Sequence, residues 1–318
     1  MRMPKYLSPT SLALFYLDRR AFYIQYLAET RTPRDPQTEP MAVGSAFDAQ
    51  VKSFLHEKLV GKDPAFEFNT LFEMQVEPHN RDAARRAGQT VFEAYKRQGA
   101  LADILLDMEG CIGRPRFETA IEDRVSAASL VIGDVPFLGK PDIFFIAKSG
   151  ARVIFDWKVN GYYSKYNVSP KPGYVRIRTM DKANGSSYKS GMVMKKHGMD
   201  ISISHPLEQV DETWANQLSI YAWLLGEAVG ADFIVAIDQI ACGNDGFGGK
   251  NYRIAQHRTT VSAAHQTQLF KKAHMAWYAI QSGHIFFEMS REDSDKEIIA
   301  VERFVNAAPD PAFEELFR

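Results

Sequence analysis

Apolar residues recur at helical spacing through the first hundred residues of the chain. Ser8 followed by Pro9 predicts a capped helix start, and the aromatic residues after them predict a buried stripe on that helix. Two further helices are predicted at residues 43–60 and 80–98, the second of them ended by Gly99. The chain is therefore predicted to begin with a helical part.

The apolar period changes to two beyond Phe117, which predicts strands. The predicted strands cover residues 117–125, 135–138, 142–147, 151–158, 232–240 and 251–261, and further helices are predicted at residues 211–230 and 262–281. Residues 160–204 show no sustained period, so we interpret them as a long loop or insertion. The pattern predicts an α/β fold with a central mixed sheet flanked by helices and an N-terminal helical elaboration.

Length and composition limit the organisation of the chain. Its 318 residues suit one elaborated domain or a core with appendages. We expect a helical part at residues 1–110, a core at 111–290 that includes the insertion 160–204, and a docked or partly mobile tail at 291–318. The N-terminus has no signal-like segment and no stretch approaches 18 apolar residues, so we expect a cytoplasmic protein without a membrane segment.

Charge and cysteine content narrow the classes of binding site. The formal net charge is −1, so a nucleic-acid partner would have to bind to a local basic patch. Cys111 and Cys242 lie far apart in the sequence, which excludes a CxxC zinc site and an iron–sulfur cluster held by four cysteines.

A three-residue turn is predicted between the strands at residues 142–147 and 151–158. Lys148, Ser149 and Gly150 separate Ala147 from Ala151, and glycine at the third position suits a left-handed conformation. This turn pairs Ala147 with Ala151 and so fixes the register of the hairpin. A turn of two or four residues would instead place the acids of the two strands on opposite faces.

In this register, two acids and a lysine share one face of the hairpin. Asp142 lies directly opposite Asp156, with Cβ atoms roughly 4.5–5.5 Å apart, and Lys158 follows two residues later. Two carboxylates this close favour a compensating cation. Oxygen ligands without cysteine or paired histidine favour Mg²⁺ or Mn²⁺ over Zn²⁺. The alternative is structural: Asp142 closes a turn after Pro141, and Asp156 forms a buried salt bridge with Lys158.

These residues resemble the motifs of the PD-(D/E)XK nuclease superfamily. The matching segments are Gly139-Lys140-Pro141-Asp142 and Asp156-Trp157-Lys158. The order of the surrounding features is similar to the RecB-like branch, which includes phage exonucleases. The resemblance implies a restriction-endonuclease-like core, Mg²⁺-dependent hydrolysis of DNA with Lys158 as the catalytic cation, and a member without an iron–sulfur cluster.

The resemblance extends to an acid on the second predicted helix. The segment Gly44-Ser45-Ala46-Phe47-Asp48 resembles a helix start that ends in a metal-binding histidine in many relatives. Asp48 stands in the place of that histidine and falls on the apolar face, so a metal or a basic partner is implied. The alternative is an acid favoured only by its position near the helix start.

Two further matches concern the helix at residues 211–230 and the strand before the Asp142 motif. Gln217 and Tyr221 stand at i and i+4 and resemble the Q-x-x-x-Y motif, whose residues hold the substrate strand in relatives. The alternative is a core tyrosine beside a surface glutamine. Relatives often carry an acid on the preceding strand, which makes Glu118 a weaker metal-ligand candidate and Glu122 an equal contender.

The segment after Lys158 is strongly basic. Residues 165–196 contain eight basic residues and one acid, a net charge of +7, with tyrosines interleaved. This composition suits neutralisation of phosphates and stacking of bases. The candidate DNA-binding residues in it are Lys165, Lys171, Arg176, Arg178, Lys195 and Lys196. A solvated basic loop is the alternative.

The sequence thus predicts a metal-dependent DNA nuclease. The resemblance favours an exonuclease of phage or bacterial DNA recombination or repair, acting on single-stranded DNA or duplex ends, with a possible protein partner in recombination or replication. Two alternatives remain: a non-catalytic DNA-binding protein or an endonuclease on the same fold, and an unrelated α/β enzyme with a coincidental Asp-Trp-Lys sequence.

Overall fold

The structure is a computed structural model that describes residues 1–30, 35–117, 129–180, 188–193, 205–244, 246 and 249–307. The chain forms two compact units. The small unit comprises Met1–Asp35, Ser129–Gly139 and Thr267–Arg318, and the sheet unit comprises Pro36–Ala128 and Lys140–Gln266. None of the helices in the described residues combines the length and apolar character needed to span a membrane.

The α-helices of the described residues are numbered in chain order. They are α1 (Pro9–Leu17), α2 (Arg19–Phe22), α3 (Glu39–Leu59), α4 (Phe68–Gln75), α5 (Arg81–Arg97), α6 (Ala100–Glu109), α7 (Leu207–Val210), α8 (Glu212–Leu224), α9 (Ala263–Ser282) and α10 (Arg291–Asn306). Short 3₁₀ turns precede α4 and α5, and a π-turn follows α2. The predicted capped start of α1 is confirmed, because the Ser8 side chain accepts a hydrogen bond from the Ser11 backbone N–H.

The strands are β1 (Ile112–Phe117), β2 (Ser129–Ile132), β3 (Val135–Leu138), β4 (Ile143–Ile146), β5 (Arg152–Asn160), β6 (Arg176–Met180), β7 (Tyr188–Val193), β8 (Ile234–Asn244) and β9 (Lys250–Thr259). Seven of them form one sheet in the order β1-β4-β5-β8-β9-β6-β7. Strands β5 and β8 are parallel and the other described pairs are antiparallel, so the sheet is mixed. The predicted α/β class with a mixed sheet flanked by helices is confirmed.

The two faces of this sheet carry different side chains. Phe155 and Trp157 of β5 belong to an apolar core with residues of α3, α5 and α6. Asp156 and Lys158 alternate with them and point to the opposite face, where Lys158 meets Gln217 of α8. We call these the core face and the α8 face. The alternation follows from the period of two in a strand, so the sequence assigns the faces directly.

Helix α3 lies close to α5 because a glycine leaves room for it. A Cβ atom added to Gly88 of α5 would lie 2.5 Å from the Cβ of Ala46 in α3. Phe47, Val51 and Leu55 of α3 are fully buried, as the helical spacing predicts. The close approach fixes the position of α3, the helix that carries the predicted site residue Asp48.

The register of the β4–β5 hairpin agrees with the prediction. Ile146 pairs with Arg152, and Ile143 pairs with Phe155. The Gly150 N–H donates to the carbonyl of Ala147, and Gly150 adopts a φ of +85°, the left-handed conformation that the turn requires. The three-residue turn is therefore confirmed.

The interpretation of residues 160–204 as a long loop is wrong for part of the segment. Strand β6 pairs with β9 and strand β7 pairs with β6, so both belong to the sheet. The sequence did not reveal β6 because its alternation covers only Arg176-Ile177-Arg178, which is too short to be read as a strand period. Pairing with β9 then shelters side chains that the sequence pattern assigns to solvent.

In the small unit, β2 and β3 form a hairpin, and Leu7 adds a bridge to Phe137. The expected C-terminal tail is helical over most of its described length, as α10. The Tyr23 hydroxyl donates to Glu302 of α10 at 2.8 Å, so this helix is docked within the unit.

Candidate active site

Asp142 and Asp156 face each other at one end of the β4–β5 hairpin. Asp142 precedes β4 and lies one residue beyond the Ile143–Phe155 pair, directly opposite Asp156. Asp156 is only 5% exposed, whereas Asp142 is 18% exposed, so water can reach the pair from the Asp142 side.

Lys158 completes the predicted triad. Its Nζ lies 2.6 Å from Asp156 Oδ2 and donates to Gln217 Oε1 at 2.9 Å. The side chain is 22% exposed, so its ammonium is held at the edge of the site rather than sealed in the core. The structure therefore brings together Asp142, Asp156 and Lys158, as the predicted register requires.

The electrostatics of the two carboxyl groups differ. Burial raises the pKa of Asp156 to about 7, the Lys158 ammonium opposes this rise, and the Asp142 carboxylate adds to it. Burial also acts to raise the pKa of Asp142, but the Lys52 ammonium, the Lys158 ammonium and the Trp157 N–H together hold that pKa below its ordinary value. Burial acts to lower the pKa of Lys158, but the carboxylates of Asp156, Asp142 and Asp211 together raise it above its ordinary value. A carboxyl group with a strongly raised pKa beside a second acid is typical of functional sites.

Sequence reasoning missed a second lysine in the site. Lys52 of α3 is 1% exposed, and its Nζ lies 2.7 Å from Asp48 Oδ2 and 2.7 Å from Asp142 Oδ1. Asp48 and Lys52 are spaced i and i+4, which is an available signal for an ion pair on one helix face. The sequence does not reveal that the same lysine reaches Asp142, 90 residues away.

The structure assigns a basic partner to Asp48. Its apolar-face position implied either a metal or a basic group, and the Lys52 ammonium is that group. A role for Asp48 as a metal ligand stays a prediction. The Lys52 ammonium lies between the carboxylates of Asp48 and Asp142 and contacts both of them.

Gln217 and Tyr221 lie on one face of α8 and both reach the triad. Gln217 Nε2 donates to the Tyr221 hydroxyl at 2.9 Å and lies 3.4 Å from Asp156 Oδ1. Asp211 caps α8 by accepting a hydrogen bond from the Trp214 backbone N–H at 3.1 Å. The cap fixes the start of α8, and the i, i+4 spacing places Gln217 beside Tyr221 on one face of the helix. From this position the Gln217 side-chain amide contacts both Asp156 and Lys158.

The described basic candidates lie in two different places. Lys171 is on the α8 side, where its Nζ lies 3.2 Å from the carboxylate of Asp211, and Lys165 is exposed. Arg176 and Arg178 pair with Gln256 and Ile254 of β9, which places them on the core face.

Both of these arginines are engaged by an acid of α6. Arg176 Nη1 lies 2.8 Å and Arg178 Nη2 lies 2.7 Å from Asp103 Oδ2. The structure therefore does not bring Arg176 and Arg178 together with the triad. Glu118, Glu122, Lys195 and Lys196 lie outside the described residues.

The segment between β5 and β6 is held by a buried glutamine that sequence reasoning also missed. Gln239 of β8 donates through Nε2 to Asn160 Oδ1 at 3.0 Å, and its Oε1 accepts from the Lys171 backbone N–H at 2.8 Å. Arg253 donates to the Val168 carbonyl at 2.9 Å. These bonds tie the first half of the basic segment to the sheet beside Lys158.

A second polar group lies on the core face behind the triad. The Tyr95 hydroxyl donates to Asp238 Oδ2 at 2.5 Å, and Arg258 Nη2 lies 2.8 Å from Asp238 Oδ1. Trp157 Nε1 donates to the Tyr95 oxygen at 3.2 Å. Since Trp157 lies between Asp156 and Lys158 in β5, this network fixes the strand that presents them.

The donor set of the triad fits a divalent cation that prefers oxygen. Asp142 and Asp156 supply carboxylate oxygens with two lone-pair directions each, so their bonds to lysines and to the Trp157 N–H leave directions for an ion. Mg²⁺ commonly uses one or two carboxylates and keeps several waters. Among the described residues, no three His, Cys, Asp or Glu side chains converge as a ligand set.

Comparison with known proteins adds no relative: no protein-family model and no curated protein matches this chain. A functional assignment therefore depends on the geometry and chemistry of the site.

Proposed function

We propose that this chain is a Mg²⁺-dependent deoxyribonuclease that hydrolyses phosphodiester bonds. The observation that carries the proposal is the convergence of Asp142, Asp156 and Lys158 at the edge of the sheet, with Gln217 and Tyr221 beside them. Exonuclease action on linear DNA, in phage or bacterial recombination or repair, is supported by the resemblance to RecB-like nucleases and by the basic segment that follows Lys158.

The two carboxylates and Lys158 would have different roles in the reaction. Asp142 and Asp156 would hold Mg²⁺, which supplies an activated water and neutralises charge on the phosphate. Lys158, fixed between Asp156 and Gln217, would donate to a phosphate oxygen and stabilise the negative charge that develops there. Gln217 positions the ammonium.

The DNA strand would approach from the α8 side of the sheet. Lys171 and the exposed Lys165 are the described basic residues in the segment held beside the triad. Arg176 and Arg178 are left out of this proposed surface because they point to the core face and are bound to Asp103.

The decisive experiment incubates the protein with linear single-stranded and double-stranded DNA in Mg²⁺ or in EDTA. Wild type is expected to cleave in Mg²⁺ only. Asp156→Ala and Lys158→Ala are each expected to reduce the cleavage rate by at least about a hundredfold, because each removes a group that acts on the transition state.

Two exposed residues of the same types serve as matched controls. Lys148→Ala in the hairpin turn and Asp232→Ala before β8 are expected to retain wild-type cleavage. Cleavage in EDTA, or undiminished cleavage by both site variants, would overturn the proposed site. DNA binding without cleavage in any metal would instead indicate a binding protein on the same fold.

A further inference from the structure

Lys52 is a fully enclosed cation in the centre of the candidate site. Its side chain is 1% exposed, and its ammonium lies at 2.7 Å from one oxygen of Asp48 and at 2.7 Å from one oxygen of Asp142. An ammonium group is rarely buried unless acids pair with it, because burial removes its hydration. The two carboxylates satisfy that condition, so the geometry of Lys52 is that of a built-in counter-ion.

The position of this ammonium matters for metal binding. Two-metal phosphodiester cleavage places two divalent ions about 3.5–4 Å apart, and carboxylates hold both of them. Here Asp142 presents Oδ1 to Lys52, while Oδ2 accepts from the Trp157 N–H at 3.2 Å. A second divalent ion on the Oδ1 side of Asp142 would meet the Lys52 ammonium at contact distance, with the repulsion of like charges.

We propose that Lys52 occupies the place of a second divalent ion, so that the site binds one Mg²⁺, held by Asp142 and Asp156. Asp48 is then a positioning residue that holds Lys52 rather than a metal ligand. This inference rests on the proposed function and specifies its metal requirement.

The test is the number of Mn²⁺ ions bound per chain without DNA, measured by electron paramagnetic resonance of free Mn²⁺ and by calorimetry. Wild type is expected to bind one ion. Lys52→Met, which keeps the length of the side chain but removes its charge, leaves Asp48 and Asp142 without their shared cation. We expect this variant to bind two ions.

Two further variants keep the test decisive. Asp48→Asn combined with Lys52→Met removes one charge of each sign and is expected to bind one ion. Lys58→Met changes an exposed lysine on the same helix and is expected to match wild type. Circular dichroism checks the fold of each variant, and the wild-type stoichiometry decides the question if a variant fails to fold.

The outcomes separate this inference from the proposed function. Two ions bound to wild type, or one ion bound to folded Lys52→Met, would overturn the role of Lys52 while Mg²⁺-dependent cleavage by wild type still stood. Wild type that bound no Mn²⁺ and cleaved no DNA would overturn both.

Discussion

Each face of the sheet carries a buried carboxylate near the middle of β5. On the α8 face it is Asp156 of β5, and on the core face it is Asp238 of the neighbouring strand β8. Asp156 faces a second acid, Asp142, and is paired with the single ammonium of Lys158. Asp238 of β8 lies beside Trp157 and is paired with a tyrosine hydroxyl and a guanidinium. Both acids are almost inaccessible to solvent, so burial alone does not distinguish them.

The cations on the two faces are held differently. Arg258 donates to the carbonyls of His257 and Ile237 as well as pairing with Asp238, so its guanidinium is fixed and stays charged. Lys158 pairs with Asp156 and donates to the Gln217 side-chain oxygen, and it makes these contacts at the edge of the site that opens to solvent. A closed network of this kind stabilises the fold, whereas two opposed acids at the solvent edge form a place where a cation can bind.

The largest expected effect is on the cleavage rate and comes from removing the carboxylate of Asp156 on the α8 face. Asp156→Asn is expected to reduce the cleavage rate by about 10²–10³-fold, because Asp156 would hold the metal. The free energy of unfolding is expected to stay unchanged or to rise, because a neutral amide removes the cost of burying the charge and the repulsion by Asp142, which together outweigh the pairing with Lys158 and raise the pKa of Asp156. Cleavage assays and urea unfolding measure the two quantities. A large loss of stability would contradict the proposed difference between the faces.

The core face is expected to respond in the opposite way. Asp238→Asn leaves the Arg258 charge without its acid, which is expected to lower the free energy of unfolding by about 3 kcal/mol. Urea unfolding measures the loss, and Mn²⁺ binding by the folded variant is expected to match wild type. Tyr95→Phe removes one hydrogen bond and should cost about 1 kcal/mol. Loss of Mn²⁺ affinity in folded Asp238→Asn would show that the network also shapes the metal site.

The sequence predicts the α8 face better than the core face, because the contacts on the α8 face depend on a local turn, whereas those on the core face join residues that are far apart along the chain. The three-residue turn at Gly150 is local, and it determines that Asp142 lies opposite Asp156. The pairing of Trp157 with Asp238 depends on the parallel register of β5 and β8. The paired residues lie 81 positions apart along the chain, and no local turn sets their register.

Two other features could not be predicted from the sequence for the same reason: the contact of Lys52 with Asp142 and the strand β6. The i, i+4 spacing of Asp48 and Lys52 is readable, but the contact with Asp142 needs the packing of α3 against the sheet. The arginines of β6 suggest a solvated loop until Asp103 of α6 is known to neutralise them. Tertiary partners, rather than local propensity, decide both cases.

His257 of β9 is a buried titratable group on the α8 face, and its expected protonation state can be tested through the pH dependence of stability. Burial lowers the pKa of His257 to about 3, and the Arg258 charge adds to this effect. His257 is therefore neutral when folded, whereas in the unfolded chain it gains a proton near pH 6.5. Its contribution to stability is complete above pH 6.5 and is lost as the pH falls from 6.5 towards 3.

Urea unfolding at pH 7 and pH 5 tests this prediction. The contribution of His257 to the free energy of unfolding is expected to fall by about 2 kcal/mol between pH 7 and pH 5, whereas the raised pKa of Asp156 makes that group contribute in the opposite direction. His257→Gln should lose that part of the pH dependence, and His274→Gln on α9 should keep it. Equal pH dependence in His257→Gln and wild type would contradict a neutral, buried imidazole.

The smallest expected effect concerns the basic residues on the two sides of the sheet. Lys165→Ala is expected to weaken DNA binding a few-fold and to reduce the slope of log affinity against log salt by about one, as loss of one phosphate contact would. Arg176→Ala should leave that slope unchanged, because Arg176 points to the core face and is bound to Asp103. Fluorescence anisotropy with labelled DNA at several salt concentrations, in EDTA to prevent cleavage, measures both slopes. If Arg176→Ala lowers the slope as much as Lys165→Ala, DNA contacts both sides of the sheet, and the division into a reactive face and a structural face fails for nucleic-acid binding.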